Sequence, residues 1–204
     1  MIKKKVGIVN YKCGNIKSIL NAFLYSGIEA ELINSANEVK HASHLVLPGV
    51  GGFKYCVENL KSTSILGTIE NEVFNQEKPL LGICVGMQMM FSSSEEDEGS
   101  KGLEWFDGDI KQLPSSAKHK VPHVGWNNVQ FRNNHYFSSI NELDFYFDHS
   151  YALFLSEISS STCFHNHKFV ASIEHKNILA SQFHPEKSQK NGLDFLKYFI
   201  ENFS

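Results

Sequence analysis

Gly82-Ile83-Cys84-Val85-Gly86 sets a cysteine between two glycines, each two residues away. The apolar run Pro79–Cys84 reads as a buried strand, and Val85–Phe91 behind it reads as a helix. A nucleophile at such a strand-to-helix turn sits on strained backbone, so its neighbours two positions away must be small. The helix that starts behind the thiol offers free N–H groups and a positive dipole end, both of which favour thiolate. The Val85 N–H points where an oxyanion would form. A buried structural cysteine at a glycine-rich strand end is the bland alternative.

A thiolate nucleophile needs a general base that later acts as acid, usually a histidine oriented by a third group. Ten histidines compete for that role. His184, in Gln182-Phe183-His184-Pro185-Glu186-Lys187-Ser188, is the best placed. It ends a strand expected over 177–183 and precedes the last helix, a position where α/β sheets gather their sites. Pro185 stiffens the turn, and Glu186 can hold the second imidazole nitrogen. Cys163-x-His165-x-His167 also spaces three possible metal ligands at period two on one strand face. Alternation along an exposed strand edge accounts for it, and neither a metal nor a cofactor is expected. Met87, Met89 and Met90 read as helix packing.

The elements around these residues alternate in the first half. Val6–Asn10 is a short apolar strand, followed by Ile16, Ile19, Leu20, Phe23 and Leu24 at helical spacing, with Gly27 closing the helix. Ile28–Ile33 and His44–Leu47 read as strands, and Ile65, Leu66, Ile69 and Val73 stripe a second long helix. From about Gly102 to Phe183 the chain is rich in Phe, Tyr, Val and His, with turn signals at Asp107-Gly108, Asn127-Asn128 and Asn133-Asn134. Ser92–Gly99 reads as an acidic surface loop. Leu193, Leu196, Ile200 and Phe203 mark a closing helix. The expectation is α/β: an open, mostly parallel sheet flanked by helices, with an additional antiparallel β portion. No linker divides residues 1–204, so one domain is expected.

Composition narrows the partners. Of 204 residues, 42% are hydrophobic and 20% charged, which excludes a disordered chain. Nineteen basic against 22 acidic residues leave a net charge of −3, no electrostatic footprint for nucleic acid or an anionic membrane. The apolar stretch behind Met1-Ile2-Lys3-Lys4-Lys5 is too short for a secretory signal, and no run is long enough to span a bilayer. Four scattered cysteines without a CxxC pair suit a reduced, cytoplasmic protein.

Gly82-Ile83-Cys84-Val85-Gly86-Met87-Gln88 together with Phe183-His184-Pro185-Glu186 resembles the class I (triad) glutamine amidotransferases, whose fold is flavodoxin-like. These enzymes hydrolyse glutamine and hand ammonia to a synthase partner. Leu47-Pro48-Gly49-Val50-Gly51-Gly52-Phe53, Val121-Pro122-His123-Val124-Gly125-Trp126-Asn127, His149-Ser150-Tyr151 and His184-Pro185-Glu186-Lys187-Ser188 are similar to the branch serving imidazole glycerol phosphate synthases. Ile8-Val9-Asn10-Tyr11 and Gly14-Asn15-Ile16 extend the likeness essentially end to end. Asn10, Lys12-Cys13 and Ala152 depart from the usual pattern.

The resemblance implies that Cys84 attacks the L-glutamine side-chain amide, that His184 moves the protons and that Glu186 orients it. It implies a grip on the amino-acid end by Gln88, Glu96, Ser150 and Tyr151. A second oxyanion donor near Val50 and Gly51 would join Val85. Trp126 and Lys187 fall at the contact with a (β/α)8-barrel cyclase subunit, in a heterodimer making imidazole glycerol phosphate and AICAR for histidine biosynthesis. Three other readings stand beside this one. The same chemistry could feed a paralogous aminating system, such as sugar modification; the chain could be a non-catalytic regulatory module; or it could be an unpartnered cysteine hydrolase.

Overall fold

A computed structural model describes residues 4–140 and 143–203; the basic opening Met1–Lys3 lies outside the described residues. β1 (Lys5–Val9) leads into α1 (Ile16–Tyr25), whose start is capped by the Asn15 side chain accepting the Ser18 N–H. Ile19, Ala22 and Phe23 are buried, whereas Leu24, on the expected stripe, is exposed. β2 (Glu29–Ile33), α2 (Ala36–His41), β3 (His44–Leu47) and α3 (Phe53–Ser62) follow. The two helices α2 and α3 add to those expected, and each has a local cause. Ser35 and Glu38 close a capping box around the start of α2. Phe53, Cys56, Val57 and Leu60 bury one face of α3 at helical spacing.

α4 (Leu66–Glu70) continues through a π-helical turn over Asn71–Asn75, so the stripe ending at Val73 is helical throughout but not uniformly α. β4 (Leu80–Ile83) runs into α5 (Val85–Gln88), which is shorter than the expected Val85–Phe91. The α-helical ladder ends as the turn tightens, the Met90 and Phe91 N–H groups bonding the carbonyls three residues back at Met87 and Gln88. Loop N–H groups of Leu103, Trp105 and Phe106 take the Met89 and Met90 carbonyls. β5 (Ser93–Ser94), β6 (Ser100–Lys101), β7 (Asp109–Gln112), β8 (His123–Phe131), β9 (Asp144–His149) and β10 (Tyr151–Ala152) come next. β11 (Ser159–His165), β12 (His167–His175) and β13 (Ile178–Ser181) precede a 3-10 turn over Pro185–Lys187 and α6 (Gln189–Asn202).

The main sheet has the order β2-β1-β3-β4-β13-β12-β11-β8-β9. β2 through β13 pair in parallel, and β13 through β9 pair antiparallel. The antiparallel portion therefore extends the parallel sheet from its edge. A small second sheet, β10-β7-β5-β6, takes in Ser93 and Ser94, so the acidic stretch is partly strand.

Two expected details fail. Asn127-Asn128 lies inside β8, where the Asn127 amide bonds His123 and the Phe164 carbonyl, and not in a turn. β11 is an interior strand, and His167 begins β12 after Asn166 turns the chain at φ +60°. Cys163, His165 and His167 therefore do not share one strand edge.

The consequence for function is a convergence. β3, β4 and β13 are adjacent and parallel, so the Pro48–Gly52 turn, Cys84 and Gln182–His184 leave the sheet side by side at its carboxyl end.

Candidate active site

Cys84 occupies the turn between β4 and α5 with φ +53° and ψ −111°, a backbone state that costs a non-glycine residue about 1–3 kcal/mol. The flanking glycines make that turn possible. A Cβ at Gly86 would lie 2.0 Å from the Leu47 carbonyl oxygen, and one at Gly82 would lie 2.6 Å from the Met90 methyl. Across the gap, a Cβ at Gly49 would stand 2.3 Å from the Gly86 nitrogen, so the turn after β3 presses directly on the start of α5. The N–H groups of Met87 and Gln88 bond the Cys84 carbonyl. Val85, in the same first turn, keeps an N–H that the helix itself does not use.

His184 is buried and follows β13. Its Nδ1 lies 2.8 Å from Glu186 Oε1, and the Cys84 sulfur is its electrostatic neighbour in the same cavity. The backbone is pinned too: its N–H donates to the Tyr146 carbonyl at 2.9 Å, and its carbonyl accepts from the Ser188 hydroxyl at 2.6 Å. Burial alone would lower the imidazolium pKa. The Cys84 sulfur and the Glu186 carboxylate outweigh it and push it up to about 10.

Cys84 and His184 open on a cavity of about 210 Å³, which Val50, Gly51, Val85, Gln88, Glu96, Ser150 and Tyr151 also line. That is below the about 300–1,000 Å³ of drug-sized pockets and suits a small metabolite. Every residue expected at the oxyanion or substrate positions is therefore on this one wall. Val50 is half-exposed, its carbonyl accepting from the Cys56 thiol at 3.7 Å. Gly51 sits at φ +112°, a conformation only glycine holds cheaply. Glu96 accepts the Phe53 N–H at 2.8 Å, so it caps α3 as well as facing the cavity, and burial raises its pKa. Gln88 donates through Nε2 to the Tyr151 carbonyl at 2.8 Å and to Gln182 Oε1 at 2.9 Å.

Trp126 and Lys187 lie outside the cavity. Trp126 is 48% exposed on β8, edge-on to Tyr146, so it is a surface residue and not core. The Lys187 ammonium stands over the Tyr146 ring at 5.4 Å and 3.7 Å from the Asp148 carboxylate. Asp148 lines the cavity rim, so this patch adjoins the site.

Asp148, His149 and Pro122 line the cavity without having been singled out as site residues. Gln182 is a further addition: fully buried, its Nε2 lies 3.6 Å from the Cys84 sulfur. Its only sequence signal is a polar residue at the end of an apolar strand.

The family described as Glutamine amidotransferase class-I matches residues 8–202. Imidazole glycerol phosphate synthase subunit HisH 1 of Campylobacter jejuni (strain RM1221) is 37% identical over 198 residues, covering 96% of this chain and 98% of that protein. The corresponding HisH subunit of Moorella thermoacetica is 39% identical over 202 residues, covering 97% and 95%. Among solved structures, a crystal structure of glutamine amidotransferase superposes with TM-score 0.75 at 16% identity, covering 96% of this chain and 97% of that one. PurLQS from Thermotoga maritima gives 0.73 at 16% identity, covering 98% and 99%. At that identity the two structures speak to the fold alone.

Proposed function

Because this chain belongs to the class-I glutamine amidotransferases, we propose that it is the glutaminase subunit of an imidazole glycerol phosphate synthase. In this reading it hydrolyses L-glutamine in the cytoplasm and passes the ammonia to a (β/α)8-barrel cyclase subunit of the histidine pathway. The observation that carries the chemistry is the buried row Cys84–His184–Glu186, with the thiol on a strained turn at the wall of a small cavity.

The steps follow from that row. His184 takes the Cys84 thiol proton as the sulfur attacks the side-chain carbonyl carbon of glutamine, and the oxygen takes the negative charge. The Val85 N–H and a donor from the Val50–Gly51 turn stabilise that oxyanion. His184 then protonates the nitrogen as the C–N bond breaks, releasing ammonia and leaving a glutamyl thioester. The same imidazole takes a proton from water as it attacks the thioester and returns that proton to the departing sulfur, freeing glutamate and the thiol. Glu186 holds the ring and its positive charge throughout. Gln88, Glu96, Ser150 and Tyr151 grip the amino-acid end of the substrate, while Trp126 and Lys187 meet the cyclase.

The test is synthesis by the reconstituted two-subunit complex. Cys84→Ala should abolish the glutamine-dependent reaction and spare the reaction fed with ammonium salt. Equal loss of both would mean that Cys84 is structural. Failure of the complex to aminate the histidine-pathway intermediate, with glutaminase activity intact, would assign another acceptor.

A further inference from the structure

The amide of Gln182 touches the nucleophile, and its orientation is not free. Gln88 Nε2 donates to the Tyr151 carbonyl and to Gln182 Oε1. A carbonyl can only accept, so Gln88 must turn its NH2 there, and both of its hydrogens are then committed. Gln182 must in consequence offer its oxygen to Gln88, which leaves its NH2 for the Cys84 sulfur at 3.6 Å. A flipped amide would set an oxygen lone pair against the sulfur.

The carbonyl that sets this polarity is itself held. His149 Nδ1 lies 2.9 Å from the Tyr151 oxygen, so that nitrogen carries the proton. His149 Nε2 then accepts from His123 Nδ1 at 3.1 Å, and His123 Nε2 accepts from the Asn127 amide at 3.1 Å. The chain works only with both rings neutral. Burial keeps them so, pushing His149 down to about 3 and His123 to about 4.

We propose that Gln182 is a catalytic residue of this site, donating an N–H to the Cys84 sulfur, and that His149 is a positioning residue fixing the donor's direction through the Tyr151 carbonyl and Gln88. It rests on the glutaminase reading of Cys84. The donor stabilises the thiolate that attacks, and stabilises it again when sulfur leaves the hydrolysed thioester. A charge-assisted hydrogen bond of this kind is roughly twice as strong as a neutral one. The titrating groups around the sulfur include His184 after β13, Tyr11 after β1 and Cys56 on α3, with Glu96, Asp148 and Tyr151 in the same cavity, and the variants below leave all of these in place.

The experiment follows iodoacetamide alkylation of Cys84 by mass spectrometry across pH, alongside steady-state kinetics of the two-subunit complex. Gln182→Leu is expected to raise the pH midpoint of alkylation by about one unit or more, and to lower glutamine-dependent kcat/KM about ten- to a hundredfold. Ammonia-dependent synthesis should persist. His149→Ala should move the midpoint in the same direction by less, and His149→Asn, which keeps a donor at the Nδ1 position, should restore it. An unchanged midpoint in Gln182→Leu overturns the proposal. If that variant does not fold, equal midpoints in His149→Ala and His149→Asn overturn it instead. A wild-type complex without glutaminase activity would sink the functional reading, while the alkylation profile would still report on the Gln182 donor.

Discussion

A buried histidine ordinarily titrates below its solution value, because desolvation disfavours the charged ring. His123 and His149 behave that way, whereas His184, as deeply buried, is pushed up to about 10. What separates them is their neighbours: His184 has the Cys84 sulfur and the Glu186 carboxylate, and the other two hydrogen-bond neutral partners. The sign of the linkage follows. The unfolded chain loses this proton near pH 6.5 and the folded chain keeps it to about 10. The contribution of His184 to stability is therefore whole below about pH 6.5 and is lost as pH rises through about 10. Cys84→Ala removes the sulfur that helps raise this pKa, so the His184 midpoint should fall towards 6.5 in an NMR titration of the histidine rings. A midpoint that stays put would refute that electrostatic coupling between the sulfur and the ring. In turnover, His184→Ala should cost about 10²–10⁴-fold. Glu186→Gln, which keeps an acceptor for Nδ1 but removes the charge, should cost less; steady-state glutaminase assays of the complex rank the two.

The elements around the site tolerate very different changes at their glycines. A Cβ at Gly86 would meet the Leu47 carbonyl at 2.0 Å, and that oxygen belongs to a central strand that cannot yield. Gly86→Ala should cost about 3 kcal/mol, the upper end of ordinary overpacking, and lower Tm by about 6–12 °C. Gly67, in α4, has open space around it and an exposed position, so Gly67→Ala should gain about 0.5–1 kcal/mol and raise Tm by about 1–4 °C. Calorimetry of the two variants checks both signs. The same contrast explains what could be read from sequence. The glycines around Cys84 reveal the elbow because a local steric demand leaves a local trace, and the apolar runs of β1, β3 and β4 reveal the sheet centre for the same reason. Asn127-Asn128 mimics a turn because an amide pair carries no sign of what bonds it, and here His123 and the Phe164 carbonyl do so from within and across strands. Gln182 and His149 acquire their roles only where the ends of β13, α5 and β9 converge. No spacing along the chain encodes that meeting.

On the scale of the whole molecule, the cavity and the exposed patch beside it meet at one pair of strands. β8 sets Trp126 opposite Tyr146, Val124 opposite Asp148 and His123 opposite His149. Trp126 and Val124 are exposed, while Asp148 and His149 reach the cavity, so a partner seated on this patch touches residues one step from the reacting atoms. The Val50–Gly51 turn is the element that such a contact can bias. Its glycine sits at φ +112° and its valine is 42% exposed, so we expect the peptide between them to switch its N–H toward or away from Cys84. Losing one oxyanion donor costs about 10²–10³-fold in rate, or roughly 2.7–4 kcal/mol. A complex that preferred the inward state by a similar energy would switch such an enzyme from nearly silent to active. A glutaminase that feeds ammonia to a partner gains from this, since firing alone releases ammonia to solvent. We therefore expect glutamine hydrolysis to rise at least about a hundredfold when both the cyclase and its ligand are present. Gly51→Pro should remove the stimulation, because the ring fixes φ near −65° against the observed +112°. The measurement is the steady-state glutaminase rate of the purified subunit titrated with cyclase, with and without the cyclase ligand. An isolated subunit already running at the full rate would mean that the turn holds its donor inward without a partner.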